Sequence, residues 1–260
     1  MAEPSTLHVD QAGAVLTLTL DRPKANAFDL PLVDALLEAL KQAEADPGVR
    51  CLVLTGAGKV FSAGQDVTAL QQKEPVSFRK HLERTYNRLI LKMRTLEKPI
   101  VGAINGAAAG AGLGVALATD VRIAAAGARF VFGFTGIGLT ADSGTSLMLP
   151  LLIGMARASE MAFTNAPLAS EQALAYGLVN RVVPDEELAG SAAALAESLA
   201  SGPTRALGLT KRALQHSMLA ALPEALEYEA YLQDIAGRTE DHREGVSAFL
   251  EKRTASYKGV

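Results

Sequence analysis

Three stretches of the chain carry residue types in arrangements suited to chemistry. The first is Phe130-Val-Phe-Gly-Phe-Thr-Gly-Ile-Gly-Leu-Thr-Ala-Asp142-Ser-Gly144, in which Asp142 is the only acidic residue between Asp120 and Glu160. A lone carboxyl among apolar neighbours, once buried, is pushed up toward neutral pH and can take and return a proton. Asp142 also precedes a helical pattern and so suits an N-cap; the sequence admits both roles, and they are compatible. The second stretch, Gly106-Ala-Ala-Ala-Gly110-Ala-Gly112-Leu-Gly114, follows a strand pattern and opens a helix, where backbone N–H groups bind negative charge. A dinucleotide site would need G-x-G-x-x-G, which fails at Val115, and Asp120 comes too early to hold a ribose hydroxyl. Alternatively, Gly110 and Gly112 let the chain approach a ligand carbonyl, to which the Ala111 N–H donates. Small residues for tight helix packing account for the segment equally well. The third stretch is Phe61-Ser-Ala-Gly-Gln-Asp66. Beside Ala111, its Gln65 N–H would be a second donor to an enolate or tetrahedral anion, each such donor contributing about 3 kcal/mol; alone, the segment reads as a strand end. His8, His81, His216 and His242 lack metal-ligand spacing and there is no G-x-S-x-G, so neither a histidine triad nor a metal site is expected.

Short apolar runs separated by helical patterns must position these groups, the signature of an α/β protein. Ala14 to Leu20 reads as a strand ended by Asp21-Arg-Pro23, followed by a helix that Asp29 caps, with Pro31 in its first turn and Leu32, Leu36, Leu37 and Leu40 on one face. Arg50 to Thr55 is the next strand, and Phe61 to Asp66 a short extended piece. Ser77 to Lys98 forms one amphipathic helix stopped by Pro99. Ile100 to Ile104, Val121 to Ile123 and Arg129 to Phe132 are strands, with a helix from Gly110. From Ser143 onward the pattern is almost wholly helical, with start signals at Ser170, Asp185, Gly202-Pro203 and Thr239. The expected organisation is a core over residues 1–195 that carries the site and a helical C-terminal section over 196–260.

Composition bounds the function classes. With 260 residues, 49% hydrophobic, 20% charged and a net charge of −3, the chain has material for a sizeable core and lacks the basic excess of a general nucleic-acid binder. Lys80, Arg84, Arg88 and Lys92 do repeat every four residues, a spacing that suits RNA phosphates or a solvated helix face. The lone Cys51 excludes an internal disulfide and points to a reducing compartment. The N-terminal Met1-Ala-Glu-Pro-Ser-Thr6 has no secretion-signal pattern, so a cytoplasmic location is expected. Ile100 to Thr119 is uncharged and long enough to cross a bilayer, but it holds five glycines and Asn105 and leads straight to Asp120 and Arg122, so no membrane association is expected. The 23 glycines and 5% aromatics imply close backbone packing.

Taken in order, Leu18-Thr-Leu-Asp-Arg-Pro-Lys24, Val53-Leu-Thr-Gly56, Phe61 to Asp66, Lys98-Pro-Ile-Val-Gly-Ala-Ile-Asn-Gly106, Gly110-Ala-Gly112 and Glu244-Gly-Val-Ser-Ala-Phe-Leu-Glu-Lys-Arg253 resemble the enoyl-CoA hydratase/isomerase (crotonase) family. The resemblance covers essentially the whole chain. It implies a crotonase-type α/β spiral of ββα units with a helical C-terminal trimerisation section, assembled as a homotrimer or a dimer of trimers. It implies an acyl-CoA thioester substrate, whose CoA makes a separate cofactor unnecessary, with the carbonyl held by the N–H groups of Gln65 and Ala111. Lys24, Ala25, Ser62, Ala63, Gly64 and Asp66 would line the CoA path, Val67 and Gly110 would also bind substrate, and Tyr86 and Phe134 would shape an apolar acyl pocket. The turn Arg22 to Asn26 is one residue shorter than the family's usual turn.

The departures narrow the chemistry. Hydratases of this family use two glutamates, and in this chain Gly114 and Phe134 stand in their places. Activating a water and supplying a proton calls for two such carboxylates, whereas a 1,3-proton shift needs one base. Asp142 stands where isomerases of the family carry an aspartate, with Ala141 in place of the usual Pro. The resemblance therefore implies an isomerase with Asp142 as sole acid/base, and Asn87 is expected to orient it. Hydratase activity, covalent attack by Asp142 as in the family's aryl-CoA dehalogenases, and a non-catalytic RNA-binding role through the basic stripe are the alternatives.

Overall fold

The computed structural model describes residues 6–68 and 77–259; the segment read above for a leader lies outside these except for Thr6. The elements are β1 (Leu7–Ala12), β2 (Val15–Leu20), α1 (Leu30–Ala45), β3 (Cys51–Gly56), β4 (Val60–Ser62), α2 (Phe78–Arg84), α3 (Tyr86–Thr95), β5 (Ile100–Ile104), β6 (Ala107–Ala109), α4 (Ala111–Leu117), β7 (Val121–Ala125) and β8 (Arg129–Val131). They continue with α5 (Thr145–Ile153), α6 (Met155–Thr164), β9 (Leu168–Ala169), α7 (Ser170–Tyr176), β10 (Arg181–Val183), α8 (Leu188–Ser201), α9 (Thr204–Met218), α10 (Leu222–Ala236) and α11 (Glu240–Glu251).

From β3 to β8, successive strands alternate between two sheets. One sheet has the order β1-β2-β3-β5-β7-β10, parallel from β2 onward, and the other the order β4-β6-β8-β9. Each pair β3-β4, β5-β6 and β7-β8 thus sends one strand to each sheet before a helix returns the chain, which winds the core into a spiral of ββα units. The two faces of the larger sheet follow the period of two. Leu52, Leu54, Ile100 and Ile104 face the main core, while Cys51, Val53, Val101 and Ala103 face α8. That helix presents Ala192, Ala196 and Ala200, whose single methyl groups let it lie close to the sheet.

Several expectations are corrected. The helix expected over Ser77 to Lys98 breaks at Thr85, whose backbone (φ −111°, ψ −95°) leaves the helical region. The basic stripe is split with it: Lys80 and Arg84 lie on α2, Arg88 and Lys92 on α3, and Lys92 pairs with Glu44 at 2.5 Å. The C-terminal half also contains β9 and β10, too short to show a pattern. Residue 195 lies within α8, so the sheet-covering layer runs on to Ser201. The uncharged stretch 100–119 forms β5, β6 and α4, and no helix among the described residues is long and apolar enough to cross a membrane. The C-terminal helices are tied to the spiral by Asp120, whose carboxylate meets Arg94 of α3 at 2.9 Å and Lys211 of α9 at 2.8 Å, and accepts from Ile100 N at 2.9 Å.

Candidate active site

Segment 61–66 runs from the end of β4 toward the start of α4. Phe28 N donates to Gly64 O at 2.7 Å and Asp66 N to Phe28 O at 3.0 Å, so this segment is bridged on one side and the intervening Gln65 N–H points the other way. Gly64 has φ +84°, and a Cβ there would lie 2.6 Å from Ala109 O and 3.0 Å from Ala111 N, so only glycine lets the segment pack on the helix start. Gln65 and Ala111 both line a cavity of about 230 Å³. Among the described residues, neither of their backbone N–H groups has a protein acceptor. The Gln65 side chain is held from above: its Oε1 accepts from Tyr86 Oη at 2.7 Å and lies 2.9 Å from His81 Nε2. As Oε1 only accepts, His81 donates through Nε2.

Asp142 lines the same cavity and is 7% exposed. Its Oδ1 accepts from Ser143 Oγ at 2.7 Å and its Oδ2 from Gln233 Nε2 of α10 at 2.9 Å. Gln233 Oε1 in turn accepts from Thr140 N at 3.2 Å, which orients the amide. Burial raises the Asp142 carboxyl to about 7; the nearby Glu229 adds to this, and the Ser143 and Gln233 hydrogen bonds oppose it. The carboxyl is therefore near balance between its two protonation states at neutral pH, the condition for both taking and returning a proton.

Asp142 does not act as an N-cap through its side chain: Gly144 holds that position, and the first amides of α5 are taken by Glu229. Asn87 does not orient Asp142 either, since its Nδ2 donates to Leu226 O at 3.2 Å. The place of the first family glutamate is filled, because a Cβ on Gly114 would lie 2.4 Å from Ser143 Cβ. Phe134, at the second place, forms apolar wall and packs edge-on to Phe132 at 5.0 Å.

Of the other expected site residues, Ala63, Val67, Gly110, Tyr86 and Phe134 line the cavity. Lys24, Ala25, Ser62, Gly64 and Asp66 are not among its walls. Lys24 and Ala25 are exposed on a turn that Ala63 N grips through Ala25 O at 2.9 Å. Ser62 is fully buried, its Oγ donating to Asn26 O at 2.8 Å and accepting from Gly64 N at 3.1 Å, and Asp66 is paired with Arg22 at 2.8 Å. These residues shape the segment rather than the cavity surface. His81, Glu229 and Gln233 are site groups that the sequence does not single out. A signal existed for the last two: both fall on the stripe of α10 otherwise made of Leu222, Leu226 and Ala230, where a polar residue needs a buried partner. Among the described residues, no three His, Cys, Asp or Glu side chains gather to hold a metal.

A spiral of ββα units, two amides without a protein acceptor at one cavity and the Asp142 carboxyl on its wall set the kind of site, and the comparisons identify its class. Residues 10–260 match the enoyl-CoA hydratase/isomerase family, to which this chain belongs. It is 44% identical to the 1,2-epoxyphenylacetyl-CoA isomerase of Escherichia coli strain K12, with 97% of each chain covered. It is 38% identical to a probable enoyl-CoA hydratase of Rhodobacter capsulatus, with 98% of each covered. The crystal structure of an enoyl-CoA hydratase from Mycobacterium avium subsp. paratuberculosis K-10 superposes with a TM-score of 0.89 at 32% identity, covering 98% of this chain and 99% of that one. The crotonase fold is thus established, and the chain is an enzyme of this family; its relatives include both isomerases and hydratases.

Proposed function

We propose that the protein is an acyl-CoA isomerase in which Asp142 is the only proton carrier and the Gln65 and Ala111 N–H groups hold the thioester oxygen. The Asp142 carboxylate removes a proton from a carbon next to the thioester carbonyl or vinylogous to it. The electron pair moves to the carbonyl oxygen, where the two amides stabilise the enolate, and the resulting Asp142 acid returns the proton to another carbon. No cofactor is consumed, and the CoA arrives as part of the substrate. The observation that carries this reading is that Asp142 supplies the single carboxyl on the cavity wall among the described residues, near balance at neutral pH. Hydration would need a second one, and Gly114 and Phe134 stand in the places where the family's hydratases carry theirs, with Ser143 filling the space beside Gly114.

Epoxyphenylacetyl-CoA, converted to the oxepin, and unsaturated acyl-CoAs undergoing a double-bond shift are the substrates this reading favours. The similarity to the Escherichia coli isomerase and the apolar walls from Val131, Phe134, Ile137 and Leu139 support it. The lone buried Cys51 fits a reducing, cytoplasmic setting. A homotrimer fits the apolar side chains exposed on α9 to α11, among them Met218, Tyr228 and Phe249.

A panel of 2-enoyl-, 3-enoyl- and epoxyphenylacetyl-CoA with product analysis tests the reading. Wild type should give isomerised products, with kcat/KM rising as pH increases through about 7. Asp142→Asn should still bind acyl-CoA but lose turnover by about 10²- to 10⁴-fold. Full turnover in that variant would defeat the mechanism, and 3-hydroxyacyl-CoA as main product would establish a hydratase. An aryl or acyl mass trapped on Asp142 would instead mark it as a nucleophile.

A further inference from the structure

The helix that follows the proposed proton carrier is capped from a distant part of the chain. Its N-cap residue, Gly144, has no side chain to offer. Glu229 of α10 supplies the acceptors instead, Oε2 for Gly144 N and Oε1 for Ser146 N, each at 2.8 Å. Asp142 is the acid nearest this helix start in sequence. Its own carboxyl is turned aside, with Ser143 at φ +58° and Gly144 at φ +73°, and is held by Ser143 Oγ and Gln233 Nε2. Glu229 and Gln233 are one helical turn apart, so a single face of α10 carries both the cap of α5 and the clamp on Asp142.

We propose that Glu229 is a positioning residue for the proton transfer assigned above, an inference that rests on the isomerase reading: by occupying the α5 amides it keeps the Asp142 carboxyl off them and free to exchange its proton. A carboxylate bonded to two helix-start amides is stabilised in its charged form and becomes a poor base. If Asp142 filled that role it would be held ionised, with little driving force to accept a proton. Glu229 takes the role instead. Burial is the larger effect and raises its carboxyl above the usual glutamate value against the opposing Ser146 and Gly144 bonds, while acceptance from two amides through both oxygens is the geometry of the ionised form. The fixed negative charge adds to the burial that raises Asp142. Two buried carboxyls thus have different partners, backbone amides for Glu229 and a hydroxyl and a side-chain amide for Asp142, the kind of difference by which sites divide acid and base duties.

The ionisable groups facing the cavity or packed behind its walls are His81 on α2, Tyr86 on α3 and His242 on α11, the last bonded to Ile137 O at 2.8 Å. Burial raises Tyr86 and lowers both histidines, so all three are neutral near pH 7. Helix α4 contributes no ionisable group. Glu229 is therefore the charge that acts on Asp142 among the described residues.

The pH profile of kcat/KM tests this in the intact enzyme with whichever acyl-CoA the panel shows to be turned over. Glu229→Gln keeps the shape and removes the charge, so the acid limb should move to lower pH by about one unit. Glu229→Asp keeps the charge and should retain the wild-type limb even where its Tm falls. A limb that stays put in Glu229→Gln, or that follows Tm rather than charge across the two variants, would overturn the proposal. Carbon-13 NMR titration of labelled carboxyls in the wild type gives an independent answer that requires no variant to fold: Glu229 should lose its proton at lower pH than Asp142, and the reverse order refutes the assignment. Turnover surviving in Asp142→Asn would defeat the isomerase reading itself; turnover lost there with an unmoved Glu229→Gln limb would defeat this inference alone.

Discussion

A carboxyl at the wall of an apolar cavity prefers its neutral form, and for Asp142 this links stability to pH. Its folded pKa of about 7 stands above the ordinary 3.8, so the folded state binds the proton more tightly than the unfolded chain. The resulting stabilisation is fully present below about pH 4 and is lost as pH rises through about 7, a span worth on the order of 4 kcal/mol. Asp142→Asn cannot ionise, so its Tm should exceed that of the wild type at about pH 8 and converge with it near pH 4. Thermal scans at the two pH values check this, and a constant Tm difference would contradict the linkage. The candidacy of Asp142 was legible in the sequence because it is an isolated acid in a long apolar stretch. Its partners were not, since Gln233 and Glu229 lie 91 and 87 positions away and no local pattern pairs them with it.

At the scale of elements, the break at Thr85 has a geometric function. Residues five apart on a continuous α-helix point about 140° from one another. With the break, His81 and Tyr86 converge on the same oxygen of Gln65, and Thr85 Oγ1 secures the end of α2 by donating to His81 O at 2.6 Å. The apolar spacing through Leu82, Leu89, Met93 and Leu96 made the helical character readable, but nothing in it marks the break. Tyr86→Phe keeps the packing against Phe28 and removes only the hydroxyl. Losing that hydrogen bond, worth about 1 kcal/mol, should lower kcat roughly 5-fold with a small Tm change. Steady-state kinetics beside a thermal scan would show it, and an unchanged kcat would detach the clamp from the placement of the Gln65 amide.

The whole molecule makes its C-terminal helices part of the site. Helix α10 holds Asp142, α11 packs its Gly245 against the Ile137 backbone at the cavity wall, and Asp120 ties α9 to the spiral. These helices also leave Met218 60%, Tyr228 61% and Phe249 59% exposed, apolar area that the proposed trimer would cover. Light scattering on the purified protein should give three chains or a multiple of three, and a stable monomer at micromolar concentration would reject that assembly. The sequence by itself determined the alternating strand-and-helix order, the small-residue approaches at 62–66 and 106–114, and a lone acid at 142, because period, small side chains and isolation of charge are local properties. Only the tertiary structure decided that Gln65 and Ala111 share one cavity, that Ser143 fills the space beside Gly114, and that Glu229 rather than Asp142 caps α5. Those outcomes depend on contacts between segments far apart in the chain, where burial and hydrogen-bond geometry choose among partners that local pattern leaves equivalent.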